Sequence, residues 1–462
     1  MRKMVGIGRA GTMGSPGDWL DPDEARAAGR TLRRRAQAGS GPVRTVPPGR
    51  SRVVDYLDAT NRDRLPELVP ERMRRMAASP FSFLRGAAGL MAGDLAAGPV
   101  SGLTAQLCGD AHAANFGLYG GGHGQIVMDI NDFDETIMGP WEWDLKRLTV
   151  SLVLAGREGG VPEKRCVTAA RHAARAYRRS VADLAGLPFL DSWAALGDRA
   201  ALTRARAGAL QDDFAAAAAR AAKNTSARVA AKWTHTSADG WHFVADPPLL
   251  GPVDQRTHSL VIDGLAGYVP TLHHSRQHLI ARYRVCDVAM RVVGTGSVGF
   301  RSYLVLLRGN GDEALVLQVK QARPSALAPF LAAAPWAHEG ERIVHGARLV
   351  QADTDVLLGW TTIDNRPFVV RQFRNRKGMI DPALLPGDHL DDYGRLAGSL
   401  LARAHVRSTD PRVLDGYCQD GDDLDEAIAA YAVDYADQTE RDHAELVTAL
   451  RDGDFPPATV GR

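Results

Sequence analysis

The chain has 462 residues, which at about 150 residues per folding unit points to two or three units and excludes a single small module. Apolar residues make up 45% and charged residues 24%, a balance that lets a sizeable core be buried and excludes wholesale disorder. Lys and Arg number 56 against 54 Asp and Glu, so a formal charge of +2 leaves no global footprint of a specific nucleic-acid binder.

In chain order, residues 1–50 are rich in Gly, Pro and Arg without sustained periodicity and are expected to form a flexible basic tail ending at Pro47-Pro48-Gly49. Residues 51–97 carry helical signals, with Leu65 and Leu68, then Met73 and Met76, at helical spacing, and a break at Ser79-Pro80. Residues 100–107 read as extended and 126–130 as a short apolar strand, with polar, glycine-rich segments between them. Residues 141–185 and 193–232 are Ala-, Leu- and Arg-rich with few breakers and read as helices.

After Pro247-Pro248 the pattern shifts toward strands. Residues 285–293, 302–307 and 314–319 are short β-branched runs, the last two joined by Gly309-Asn310-Gly311-Asp312, a strong hairpin signal. A helix is expected over 337–351, a strand pair around Asp364-Asn365, and further helices over 391–407 and 424–452. No repeat of fixed period is visible. The four cysteines, Cys108, Cys166, Cys286 and Cys418, lie far apart without a C-x-x-C pair, which suits a reducing compartment. No apolar leader core and no run of about 18 apolar residues occurs, so a cytoplasmic protein without a membrane span is expected.

Two clusters carry chemistry. The first is Cys108-Gly-Asp-Ala-His-Ala-Ala-Asn115, followed by Asp129-Ile-Asn-Asp-Phe-Asp-Glu135. Asp110 and Asn115 are five residues apart, and Asp132 follows seventeen later at the end of an apolar run. Such a set offers hard oxygen ligands for Mg²⁺ and a carboxylate that can accept a proton. Asp and Asn also cap helices and make turns. Burying Asp129, Asp132 and Asp134 within six residues, however, is costly unless a cation or hydrogen bonds compensate. His112 can orient this loop or touch a phosphate.

The second cluster is Gly294-Thr-Gly296-Ser-Val-Gly299. In a dinucleotide fold a helix would follow these glycines, whereas here a strand follows. That context favours a glycine-rich hairpin over nucleotide phosphates, with Lys320, twenty-one residues after Gly299, ending the third strand within reach of two phosphates.

The stretches Gly109-Asp-Ala-His-Ala-Ala-Asn-Phe-Gly117, Asn131-Asp-Phe-Asp-Glu135, Gly139-Pro-Trp-Glu-Trp-Asp-Leu-Lys-Arg147 and Leu400-Leu-Ala-Arg-Ala-His405 resemble the bacterial domain-of-unknown-function family 2252, over most of the chain from about residue 50. That family in turn resembles the protein-kinase-like superfamily, especially aminoglycoside and choline phosphotransferases. The resemblance implies that Asp110 is the catalytic aspartate, that Asn115 and Asp132 are metal ligands, and that Asp144, twelve residues after Asp132, braces the catalytic loop. Cys108 departs from the histidine usual in that superfamily.

Order is the larger departure, because the glycine loop and lysine come about 180 residues after the catalytic loop instead of before it. The expected architecture is therefore α+β, a two-lobed kinase-like fold that is circularly permuted. It comprises a tail (1–50), a helical lobe with the catalytic and metal loops (51–281), a β-rich nucleotide lobe (282–375) and C-terminal helices completing the helical lobe (376–462). The expected activity is transfer of the γ-phosphoryl of ATP, with Mg²⁺, to a hydroxyl on a small molecule rather than a protein. The alternatives are a non-catalytic nucleotide-binding regulator and nucleotidyl transfer on the same fold. Arg85 can face an anionic substrate, and Glu339 or Glu341 can pair with Lys320.

Overall fold

Among the residues that the computed structural model describes (20–38, 46, 47, 49–194 and 207–455, with short breaks at 239, 248, 293, 295, 312, 333–335 and 420), the fold is α+β. Helix α1 (Pro22–Ala38) is followed by α2 (Val53–Asn61), α3 (Val69–Met76), α4 (Pro80–Gly86) and α5 (Ala88–Ala96). The break expected at Ser79-Pro80 is a helix start: the Ser79 side chain accepts from Ser82 N, and Pro80 fills the first turn, where no amide donor is needed.

Two small antiparallel ladders come next. Strand β1 (Thr104–Leu107) pairs with β4 (Ile137–Pro140), and β2 (Phe116–Gly120) with β3 (Ile126–Ile130). The registers set Leu107 opposite Ile137 and Phe116 opposite Ile130. Loops 108–115 and 131–136 are therefore closed off at both ends by the same pair of ladders and lie face to face.

Helices α6 (Glu142–Glu158) and α7 (Glu163–Ala185) share a large core with three helices from the far end of the chain. Helix α8 (Phe189–Ala194) precedes the break in description, and α9 (Gln211–Ala222) and α10 (Ser226–Trp233) follow it. The β-hairpin of β5 (Thr234–Ser237) and β6 (Gly240–Phe243) leads to a six-stranded antiparallel sheet ordered β11-β12-β10-β9-β8-β7. Its strands are β7 (Leu250–Pro252), β8 (Arg284–Arg291), β9 (Ser302–Arg308), β10 (Ala314–Gln321), β11 (Gly359–Ile363) and β12 (Arg366–Gln372). Alternation along β9 explains its unbroken apolar run. Tyr303, Val305 and Leu307 pack with α11 (Gln255–Tyr268) and α12 (His274–Ile280), while Leu304 and Leu306 pack on the opposite face with Val229 and Phe373.

Helix α13 (Glu339–Val350) contacts β11 and β12 on one side and sends Ile343, Val344 and Ala347 into the large helical core on the other. The chain ends in α14 (Gly387–Val406), α15 (Pro411–Cys418) and α16 (Asp423–Asp452). Helix α14 lies unusually close to α7, because a side chain at Gly398 would collide with the Ala173 backbone, so a glycine face meets an alanine face.

Two expectations are corrected. The basic segment is not all tail: α1 docks on α15, with Arg26 paired to Asp415 at 2.8 Å and Arg33 donating to Tyr417 O at 3.1 Å. Its arginines are drawn in because α15 and its C-terminal end offer a carboxylate and a free carbonyl; residues 1–19 and 39–45 lie outside the described residues. The β-rich region also begins before residue 282, since β7 pairs with β8 and Val261, Tyr268 and Ile280 belong to the sheet's own core. No helix among the described residues is long and apolar enough to cross a membrane.

Candidate functional site

Loop 108–115 is held almost entirely by its backbone. The Asp144 carboxylate, at the start of α6, accepts from Cys108 N at 2.8 Å and Gly109 N at 3.1 Å. Gly109 sits at φ +81°, where a side chain would strike the Glu135 backbone, so only glycine fits this crossing of the two loops. Ser151 Oγ accepts from Ala113 N, and Tyr393 of α14 donates its hydroxyl to Ala113 O. With its backbone so occupied, the loop presents the Asp110 side chain outward. Arg147 Nε donates to Asp110 Oδ1, and His112 Nε2 stands 3.6 Å from Oδ2. Burial takes His112 down to about 4 against the pull of Asp110, so its ring is neutral near pH 7.

The facing loop carries the acids. Asn115 Nδ2 donates to the carbonyls of Asp110 and Asp132, each at 3.1 Å, tying the two loops together. Burial opposes ionisation of Asp132, but the charges of Lys320, Arg371 and Lys377 outweigh it and hold the carboxyl at about 2. Asp134 Oδ2 accepts from Lys320 Nζ and, at 3.3 Å, from Ser297 Oγ. Lys320, on β10, is buried; burial lowers its tendency to hold a proton, yet the charges of Asp132 and Asp134 raise it above the ordinary lysine range.

These elements meet at a cleft of about 290 Å³ lined by Asp110, His112, Asn115, Asp132, Asp134 and the glycines Gly294 and Gly296. A smaller cavity of about 60 Å³ shares Asp132 and Asp134 with the cleft and is lined by Lys320, Arg371 and Lys377. Gly294 and Gly296 lie in the connection between β8 and β9, with Thr295 outside the described residues. Gly299, at φ +93°, packs beneath Arg64 instead of lining the cleft.

A family profile described as an uncharacterised protein conserved in bacteria matches residues 64–449. The chain belongs to domain-of-unknown-function family 2252. No curated protein and no solved structure matches the chain. The family 2252 match spans both acid-bearing loops, the glycine connection and Lys320.

Not every acid in this family 2252 site faces the cleft. Asp129 is fully buried within β3, where Oδ1 accepts from Arg403 and Oδ2 from Ala352 N at 2.8 Å, and Asp144 lies behind the loop it braces. Neither Glu339 nor Glu341 is the partner of Lys320: Glu339 pairs with Arg342 and Glu341 stands 3.8 Å from His345, because Asp134 already fills the lysine's reach.

Several site residues escape a reading of the sequence. Arg147 lies one helical turn after Asp144, a spacing that puts both toward the same loop and was available as a signal. Arg371 is a cation directly after the apolar run Pro367–Val370 of β12, and Lys377 follows two non-glycine residues at positive φ, Arg374 and Arg376, a backbone course with no sequence signature here. Burial, with Arg371 beside it, takes Lys377 down to about 7. Glu135, also on the cleft, is pushed up to about 7 by burial although Ala326 N donates to it.

Among the described residues no group of three or more His, Cys, Asp or Glu side chains gathers as a self-sufficient metal site. The donor set fits Mg²⁺ nonetheless, because that ion is commonly held by one or two protein oxygens and completed by phosphates and water. Asp132 is held ionised and Asn115 has an amide oxygen to give.

Proposed function

We propose that this cleft moves the γ-phosphoryl group of ATP to a hydroxyl of a small molecule, on a kinase-like fold whose chain order is circularly permuted. One observation carries the reading: Asp110, Asn115 and Asp132 share a cleft with a glycine connection and, through the Lys320 to Asp134 ion pair, with a strand lysine nearly two hundred residues further along the chain. The placement of α14 supports permutation. Its Tyr393, Arg403 and His405 brace loop 108–115, strand β3 and Asp144, the work of a helix that would precede the loop in unpermuted order.

In this reading the acceptor hydroxyl lies against Asp110 Oδ2, the oxygen that Arg147 leaves free, and passes its proton there as the new oxygen–phosphorus bond forms. The bond from the γ-phosphorus to the bridging oxygen breaks, and ADP leaves with the electron pair. Lys320 neutralises phosphate charge, and the glycine connection, which lines the adjoining cleft at Gly294 and Gly296, covers the phosphate chain. Asn115 and Asp132 would hold Mg²⁺, which when bound supplies further neutralisation of the phosphates. Catalysis of this kind is positioning plus charge compensation.

The test is a titration with Mg-ATP followed by an assay with γ-labelled ATP. Wild-type protein should bind the nucleotide and yield a labelled small-molecule product, and Asp132→Asn should fold normally yet lose at least 1,000-fold of turnover. Unimpaired transfer by that variant sinks the assignment. A second reading is favoured by the Arg147 ion pair on Asp110, which occupies one oxygen of the would-be base: a nucleotide-binding regulator, stabilised by Mg-ATP without consuming it. Label transferred from α-labelled ATP would mark nucleotidyl transfer instead.

A further inference from the structure

The lining of the cleft also carries arginine. Arg64, Arg72 and Arg85, from the segment spanning α2 to α4, line it beside Asp110 and His112. Arg72 is 1% exposed; Nη1 donates to Asn61 Oδ1 at 2.6 Å, Nη2 to Gly86 O at 3.1 Å, and Nε has no partner. Arg64 is also buried, donating to Thr60 O and Val298 O, with its guanidinium 4.0 Å from the centre of the Phe300 ring. Arg85 Nε and the neighbouring His112 Nδ1 are likewise buried without partners.

Several buried arginines elsewhere among the described residues are neutralised. Arg50 is paired with Asp94 and Asp442, Arg403 with Asp129, and Arg342 with Glu339. Among the described residues, no carboxylate lies within ion-pair distance of Arg64, Arg72 or Arg85, and neutral oxygens alone hold the first two. Of the acids on the same cleft, Asp110 is paired with Arg147 and Asp134 with Lys320. Three guanidinium groups with spare donors, two of them deeply buried, are costly unless an anion completes them. Burial, together with the charges of Arg72 and Arg323, already pulls Arg64 down to about 8, a penalty that a bound anion would remove.

We propose that Arg64, Arg72 and Arg85 bind the anionic group, phosphate or carboxylate, of the acceptor, so that the phosphoryl acceptor is an acidic hydroxyl compound. The proposal rests on the phosphotransfer reading for the word acceptor, whereas the anion site stands on the arginines alone. The three arginines line the larger cleft and Lys320, Arg371 and Lys377 the smaller cavity that shares Asp132 and Asp134 with it, so a phosphate at the lysine and a second anion at the arginines would each have cations of their own. Planar guanidinium forks suit a tetrahedral or carboxylate anion held at two oxygens.

The competing source of the same chemistry is the nucleotide's own phosphate chain. Binding of inorganic phosphate to the full chain is measured by calorimetry, alone and again with a saturating non-hydrolysable Mg-ATP analogue. Saturable binding is expected in both, weakened at least tenfold in Arg64→Gln and Arg85→Gln, with analogue affinity of the Arg85 variant within twofold of wild type. The Arg85 variant guards against misfolding, since that side chain is less buried and its melting temperature reports integrity. Phosphate that fails to bind wild type, binds the variants equally, or is expelled by the analogue overturns the proposal. A wild-type protein that binds phosphate through these arginines but never binds the analogue would overturn phosphotransfer while leaving the anion site standing.

Discussion

Lys320 Nζ donates to Asp134 Oδ2, joining the end of strand β10 to the acidic loop after β3 across 186 positions of chain. The same lysine supplies part of the positive field that keeps Asp132 ionised, so one side chain serves both acids. Replacing it with Met should raise the Kd for Mg-ATP at least tenfold, equivalent to about 1.4 kcal/mol. It should also cost about 1–3 kcal/mol of stability through loss of a charged hydrogen bond. Calorimetric titration and urea unfolding check the two effects. Unchanged nucleotide affinity would reduce Lys320 to a tie for Asp134.

Asp144 is expected to matter through the loop it carries. In Asp144→Asn one acceptor oxygen becomes a donor, and the buried amides of Cys108 and Gly109 lose full satisfaction. A stability loss of about 2–4 kcal/mol should follow. If the loop presents Asp110 to a substrate, kcat should fall more than the KM for nucleotide rises. Equal changes in both would detach the brace from the chemistry.

Asp129 is the contrasting case. Removing its partner in Arg403→Met leaves a fully buried carboxylate without a counter-charge, at a cost of about 3–5 kcal/mol. The folded fraction should keep wild-type affinity for Mg-ATP, because neither residue lines the cleft. A denaturant midpoint that shifts little would contradict the burial argument.

Glu135 gives a pH signature. Burial raises its carboxyl from an ordinary 4.5 to about 7 in the folded protein, so folding favours the protonated form. The associated stabilisation, on the order of 2–3 kcal/mol, is fully present below pH 4.5 and fades as pH rises through 7. Stability relative to Glu135→Gln should therefore decline across that window and be flat above it. Unfolding curves at half-unit pH steps on both proteins check this, and parallel curves would refute it.

Much of the secondary structure was legible from short-range chemistry. Ser79-Pro80 marks a helix start, and the hairpin at Asp364-Asn365 takes positive φ at both residues, as its turn type requires. Helix α11, capped by Asp254 accepting from Thr257 N, lies in a stretch whose flanking Pro247-Pro248 and following β-branched runs signal β structure instead. The acids Asp110, Asp132 and Asp134 were legible from density and spacing. Asp129 could not be separated from them by sequence, since only the docking of α14 brings Arg403 to it.

The amino-acid sequence by itself determined where helices begin, where strands turn, and which two segments hold the reactive acids and glycines, because those properties depend on residues within a few positions of each other. Tertiary structure alone decided that Lys320 pairs with Asp134 rather than a helix glutamate, that Arg147 takes one oxygen of Asp110, and that three arginines line the cleft without a carboxylate partner among the described residues. The physical reason is that a charge's partner is whatever lies a few ångströms away once the elements have packed, and distance along the chain carries no information about that.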